Sequence, residues 1–148
     1  MSNNTSANFE FKDCMRSVVP LLAKEGIRLD FTGYDDTISE FYQIDGYELN
    51  EIFELDKNLM AWKEYLKQIE AVVTVFQNSK ANQLTYLEAF KTKRKNNKLE
   101  GMMNETIALL KLLKNAKAAL HREIMRFQEV EYVVNKIYFE GTKNYIKK

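Results

Sequence analysis

From residue 52 onward, apolar side chains recur at alternating steps of three and four: Ile52, Leu55, Leu59, Trp62, Leu66, Ile69, Val73, Phe76, then Leu87 and Phe90. A second run repeats the pattern with Leu99, Met102, Leu109, Leu113, Ala116, Leu120, Phe127, Val130, Val134 and Ile137. Such spacing keeps residues on one face of a helix, and over several heptads it describes a coiled-coil seam. Between the runs, residues 91–98 contain no apolar side chain. The pattern predicts a mainly α fold: an antiparallel, coiled-coil-like hairpin of two long helices over residues 45–148, with a tip at 91–98.

Two matched runs also predict a register. Ile52 faces Ile137 and Phe90 faces Leu99, which sets Gln83 opposite Thr106. Both interrupt apolar seams, and meeting in one layer they would satisfy each other, as register-fixing polar residues do in coiled coils. Further apolar rows flank the seams: Met60, Tyr65, Val72, Val75 and Tyr86 on the first helix, and Met103, Leu110, Ile124 and Tyr138 on the second. Two rows per helix call for more than two helices in the cluster. Self-association into a homo-oligomer is the expected remedy.

Residues 1–44 read as a small N-terminal cap, α or α+β. Residues 1–8 are polar and read as a flexible leader. A short helix is expected over about 13–25, stopped by Gly26 and disturbed by Pro20, which either kinks it or sits in its first turn. Ile27, Leu29 and Phe31 alternate with polar residues as in a half-buried strand, with Phe9 to Phe11 as the natural partner. A turn follows, then a short helix or extended piece over residues 38–44. Asp45 and Glu48 have capping-box spacing, so the first long helix is expected to begin near Gly46. Gly101 falls near the start of the second long helix, and Gly141 is expected just past its end.

Charge sharpens the picture. The formal charge is only +1, yet it is segregated. Residues 91–98 hold five basic side chains and no acidic one (Lys91, Lys93, Arg94, Lys95 and Lys98). Lys111, Lys114, Lys117, His121 and Arg122 extend positive charge along the second helix. Phosphates are attracted to such clusters, because neutralising them releases counterions. The candidate nucleic-acid-binding residues are therefore Lys91, Lys93, Arg94, Lys95, Lys98, Lys111, Lys114, Lys117 and Arg122. The alternatives are a lysine-rich tip kept soluble by charge, or a site for an acidic protein partner. Phe90, a seam residue, is expected in the core.

Other chemistry finds little support. Cys14 is alone, so no internal disulfide or cysteine-pair metal site can form. Asp30, Asp35, Asp36 and Glu40 lack calcium-loop spacing and suit turn formation. No phosphate loop, dinucleotide fingerprint or nucleophile elbow occurs. We expect no catalytic residues, no metal and no cofactor: the chain reads as a non-enzyme. With neither a signal core nor a membrane span, it reads as cytoplasmic, without a membrane partner.

In layout, the basic helical hairpin resembles the small helical recombination mediators of large phages. The resemblance covers the helix-turn-helix arrangement alone and transfers no residue. It implies subunits that assemble on single-stranded DNA. The alternative is a structural, adaptor or inhibitor module, such as a virion component or assembly chaperone, whose apolar rows meet a protein partner without nucleic acid.

Overall fold

The computed structural model describes residues 3–91 and 97–146, with side chains over residues 11–91 and 97–143. Four α-helices follow in order: α1 (Asn3–Lys24), α2 (Tyr34–Tyr42), α3 (Leu49–Lys91) and α4 (Asn97–Ile146). A 3-10 turn at Ile44–Gly46 precedes α3, and no strand occurs among the described residues. The fold is mainly α, and α3 and α4 pack antiparallel as a helical hairpin, as the periodicity predicts. Both helices are continuous over their ranges. Two compact units divide the chain, each built around a piece of both long helices: Met1–Leu29 with Ile69–His121, and Asp30–Gln68 with Arg122–Lys148.

In the first unit, α1 supplies Phe11, Met15, Val18 and Leu22 to a core shared with Ile69, Val73, Leu87, Met103, Leu113, Ala116 and Leu120. Phe11, Met15, Val18 and Leu22 are spaced at steps of three and four, so one face of α1 is buried. The strand and leader expected before Gly26 are therefore corrected: Phe9 to Phe11, and residues 3–8 ahead of them, lie inside α1. Pro20 also lies inside it. A proline in a helix interior costs roughly 3 kcal/mol. Each of the four buried side chains contributes about 1.5–3 kcal/mol, so together they outweigh it. Pro20 and Arg16 are exposed, so water can reach the Arg16 carbonyl that loses its donor.

Gly26 ends α1 as expected, at φ 81°. The Ile27 N–H donates to the Leu22 carbonyl at 2.9 Å, and the Gly26 N–H to the Ala23 carbonyl at 3.0 Å. That pair of bonds is the Schellman motif, which satisfies carbonyls left over at a helix end. Residues 27–31 then run without regular structure. Ile27, Leu29 and Phe31 are half-buried and their neighbours exposed, so the alternation holds. The expected partner is helical, however, and no ladder can form.

In the second unit, Gly33 (φ 87°) opens α2, which buries Tyr34, Thr37 and Ile38. The core continues with Ile44, Ile52, Leu55, Leu59, Leu66, Ile124, Phe127 and Val134. The start of α3 differs from expectation. Asp45 lies in the 3-10 turn, and the Glu48 N–H donates to the Glu51 carboxylate at 3.2 Å. The reaching-back half of a capping box is thus made one turn later. Gly141 lies inside α4 rather than beyond it. A Cβ there would stand 2.7 Å from Leu49 Cδ2, so the glycine admits the start of α3 closely.

The register is near the expected one but displaced. Leu49 meets Gly141 where Glu140 was expected, and Phe53 meets Tyr138 where Lys136 was expected. In the first unit, Glu70 meets His121 rather than Ala119. The Gln83–Thr106 pair does not form. Gln83 is exposed and accepts from Lys80 at 3.2 Å, while the buried Thr106 hydroxyl donates to the Met102 carbonyl of its own helix at 2.8 Å. A back-bonded threonine needs no partner across the seam.

Candidate nucleic-acid interface

The last turns of α3 carry the feature that periodicity alone misjudges. Leu87 is buried and anchors this end of the helix. Tyr86 and Phe90, four residues apart, share a side of the helix, and their rings meet edge to face at 4.9 Å. Both are open to solvent, Tyr86 at 65% and Phe90 at 48%. The expected core placement of Phe90 is corrected. A seam residue in the last turn of a hairpin has neighbours on one side only, and Met102, near the start of α4, is itself exposed.

Lys91 follows directly, exposed at the C-terminal end of α3, where the helix dipole favours a cation. Lys98 is exposed in the first turn of α4. Lys93, Arg94 and Lys95 lie outside the described residues. On α4 in the same unit, Lys111 and Lys114 are exposed and Lys117 is half-buried, all on one broad side of the helix. None of these three enters an ion pair among the described residues. His121 continues that side, but its Nδ1 stands 3.5 Å from the Glu70 carboxylate, which offsets positive charge there. Arg122, also exposed, belongs to the second unit.

The second unit holds its charges differently. Lys63 and Glu131 form an ion pair, both largely buried. Nearby, Asp56 Oδ1 is buried without a hydrogen-bond partner. Burial raises the Asp56 carboxyl above its ordinary range, the Glu131 charge adds to the effect, and Lys63 opposes it. Glu123 is the most deeply buried charge among the described residues, 3% exposed. Its Oε1 stands 3.0 Å from Arg126 Nε, while Oε2 has no hydrogen-bond partner. Burial pushes its carboxyl up to about 7 against the opposing guanidinium. These pairs join or line packed helices, and no group of three or more metal-ligating side chains gathers among the described residues. Asp30 spends its Oδ1 on Thr32, and Asp35 and Asp36 sit in the first turn of α2, where the helix dipole favours them. Cys14 is free and half-buried.

Fold and surface together define a class: a long helical hairpin whose turn-proximal end sets exposed aromatics beside lysines. No protein-family model, curated protein or solved structure matches the chain. Among the described residues, no helix is long and apolar enough to cross a membrane.

Proposed function

We propose that the protein is a non-enzymatic, oligomeric accessory protein that binds single-stranded nucleic acid at the turn-proximal end of its hairpin. The observation that carries this reading is the exposed Tyr86–Phe90 pair directly before the basic stretch of residues 91–98. Single-strand binders join a positive groove for the backbone to aromatic rings on which bases stack. Stacking contributes about 1–3 kcal/mol per base, and neutralised phosphates add a salt-dependent term. Lys91, Lys93, Arg94, Lys95 and Lys98 supply the charge of the basic stretch, and Lys111, Lys114 and Lys117 extend it along α4 within the same unit. Several weak copies acting together would bind tightly.

The test is binding to a short fluorescent oligonucleotide over a range of salt. Combined Lys93→Glu, Arg94→Glu and Lys95→Glu reversal is expected to abolish binding and leave helix content by circular dichroism unchanged. A triple variant that binds like the parent removes the basic stretch from the interface.

A second reading has its own support. Ala71, Val72, Val75 and Phe76 of α3, with Ile27, line an open groove of about 490 Å³, and Val75 is 70% exposed. An apolar groove of this kind suits a protein partner or a further copy of the chain. Oligonucleotide binding that is absent even at low salt, together with a stable oligomer in light scattering, would favour a structural or adaptor role.

A further inference from the structure

A different surface, in the second unit, has the chemistry of a small-molecule site. Trp62 and Tyr65 lie on α3 with centroids 5.7 Å apart and ring planes at 71°, so the indole and phenol form a corner. The small side chain of Ala61 leaves space beside them. Asp30, Ala61, Trp62 and Tyr65 line an open pocket of about 330 Å³.

The corner is braced. Phe31 stacks parallel to Trp62 at 6.3 Å and meets Tyr65 edge-on at 6.2 Å, while Tyr34 meets Trp62 edge-on at 5.4 Å. The Asp30 N–H donates to the Tyr65 hydroxyl oxygen at 2.8 Å, tying the acidic residue to the ring. Its Oδ1 accepts from both the backbone N–H and the hydroxyl of Thr32, at 2.9 and 2.6 Å. These bonds orient the carboxylate and hold its carboxyl below the ordinary range, so it stays charged. No hydrogen bond occupies Oδ2 among the described residues.

We propose that this corner binds a weakly hydrated organic cation of the quaternary-ammonium class, held on the faces of Trp62 and Tyr65 with the Asp30 carboxylate as counter-ion. Ring faces attract cations through their quadrupole, and Trp is the strongest of the three aromatics. A hard metal ion is unsuited, because one carboxylate cannot replace its shell of oxygen ligands. A fixed frame of rings lowers the ordering cost of binding.

Trp62 is the only tryptophan, so its emission reports the site directly. The full chain is titrated with choline chloride at constant ionic strength, against sodium chloride and against 3,3-dimethylbutan-1-ol, the neutral isostere of choline. Choline is expected to give a saturable emission change, and sodium none. The alcohol should bind at least about fivefold more weakly, the discrimination that a cation–π contact of about 1 kcal/mol confers. Asp30→Asn keeps the Oδ1 that Thr32 needs and should weaken choline by a similar factor with unchanged circular dichroism. No saturable response, equal response to the alcohol, or an unaffected Asp30→Asn variant would each overturn the proposal. The oligonucleotide experiment is indifferent to all of these results.

Discussion

Helix α3 carries two aromatic groups that its heptad pattern treats alike and the structure treats in opposite ways. Trp62 and Tyr65 enter a five-ring cluster with Phe31, Tyr34 and Phe127, in which Tyr34 and Phe127 stand 5.6 Å apart. Tyr86 and Phe90 touch only each other among the described rings and face solvent. The difference lies in what else packs on each stretch. A loop and α2 brace the first pair and leave the corner beside Asp30 open. The second pair occupies the final turns of α3, beside charge instead of grease. Most of the ring surface inside the cluster serves stability and one corner stays open beside a carboxylate, whereas the terminal pair stands open beside lysines.

The largest expected effect breaks that comparison if it fails. Phe127 is 2% exposed. Phe127→Ala should cost about 3–5 kcal/mol of unfolding free energy in a denaturant titration, whereas Tyr86→Ala or Phe90→Ala should each cost less than about 1 kcal/mol. Comparable losses at Phe90 and Phe127 would mean that the terminal pair is core.

Buried charge gives the next effect. The Glu123 carboxyl is raised from 4.5 to about 7 in the folded state. Between those values the native protein keeps a proton that the unfolded chain has released. Stability is therefore highest at the acid end of that window, falls as pH rises through it by roughly 3 kcal/mol, and levels above it. Asp56 shifts in the same direction. Thermal melts from pH 5 to 8 should show Tm falling, and Glu123→Gln should flatten most of that slope. A wild-type Tm that rises over this range would show Glu123 to be ionised throughout.

The smallest effects separate two glycines of α4. Gly101 has open space around its missing Cβ, so Gly101→Ala should stabilise the helix by about 0.5–1 kcal/mol. At Gly141 the new methyl meets Leu49 at 2.7 Å, and the side chain must swing away. Gly141→Ala should gain less than Gly101→Ala, or lose. The reverse order would mean that α3 does not start against α4 there.

Much of this was legible in the residues. Long apolar repeats fixed α3, α4 and their antiparallel pairing, because Leu55, Leu59, Leu66, Leu113, Leu120 and Val134 must share a buried face. Gly26 announced its helix stop. α1 was harder to see. Phe9 and Phe11 mimic alternation, and Pro20 reads as a breaker, although Phe11, Met15, Val18 and Leu22 keep a helical period that tertiary burial rewards. Met103 and Ile124, expected in rows needing a partner, are buried within the chain. Val75, Met60 and Tyr86 do stay exposed. The lysines of the candidate interface were plain from composition. The aromatic pair was not, because a seam pattern cannot tell where its own cover ends. The Trp62–Tyr65 corner was hidden for a different reason: Asp30 and Phe31 reach it from a loop distant in sequence.

Nucleic-acid binding by the exposed aromatic pair is measured most directly as oligonucleotide affinity for the parent chain and a Tyr86→Ala, Phe90→Ala double variant, each at several salt concentrations. The parent should bind with affinity that falls steeply as salt rises. The double variant should lose at least about tenfold at every salt concentration and keep the same salt slope, since stacking goes and the lysines stay. A double variant that binds as tightly as the parent, or a parent that binds nothing at low salt, would contradict binding by this pair.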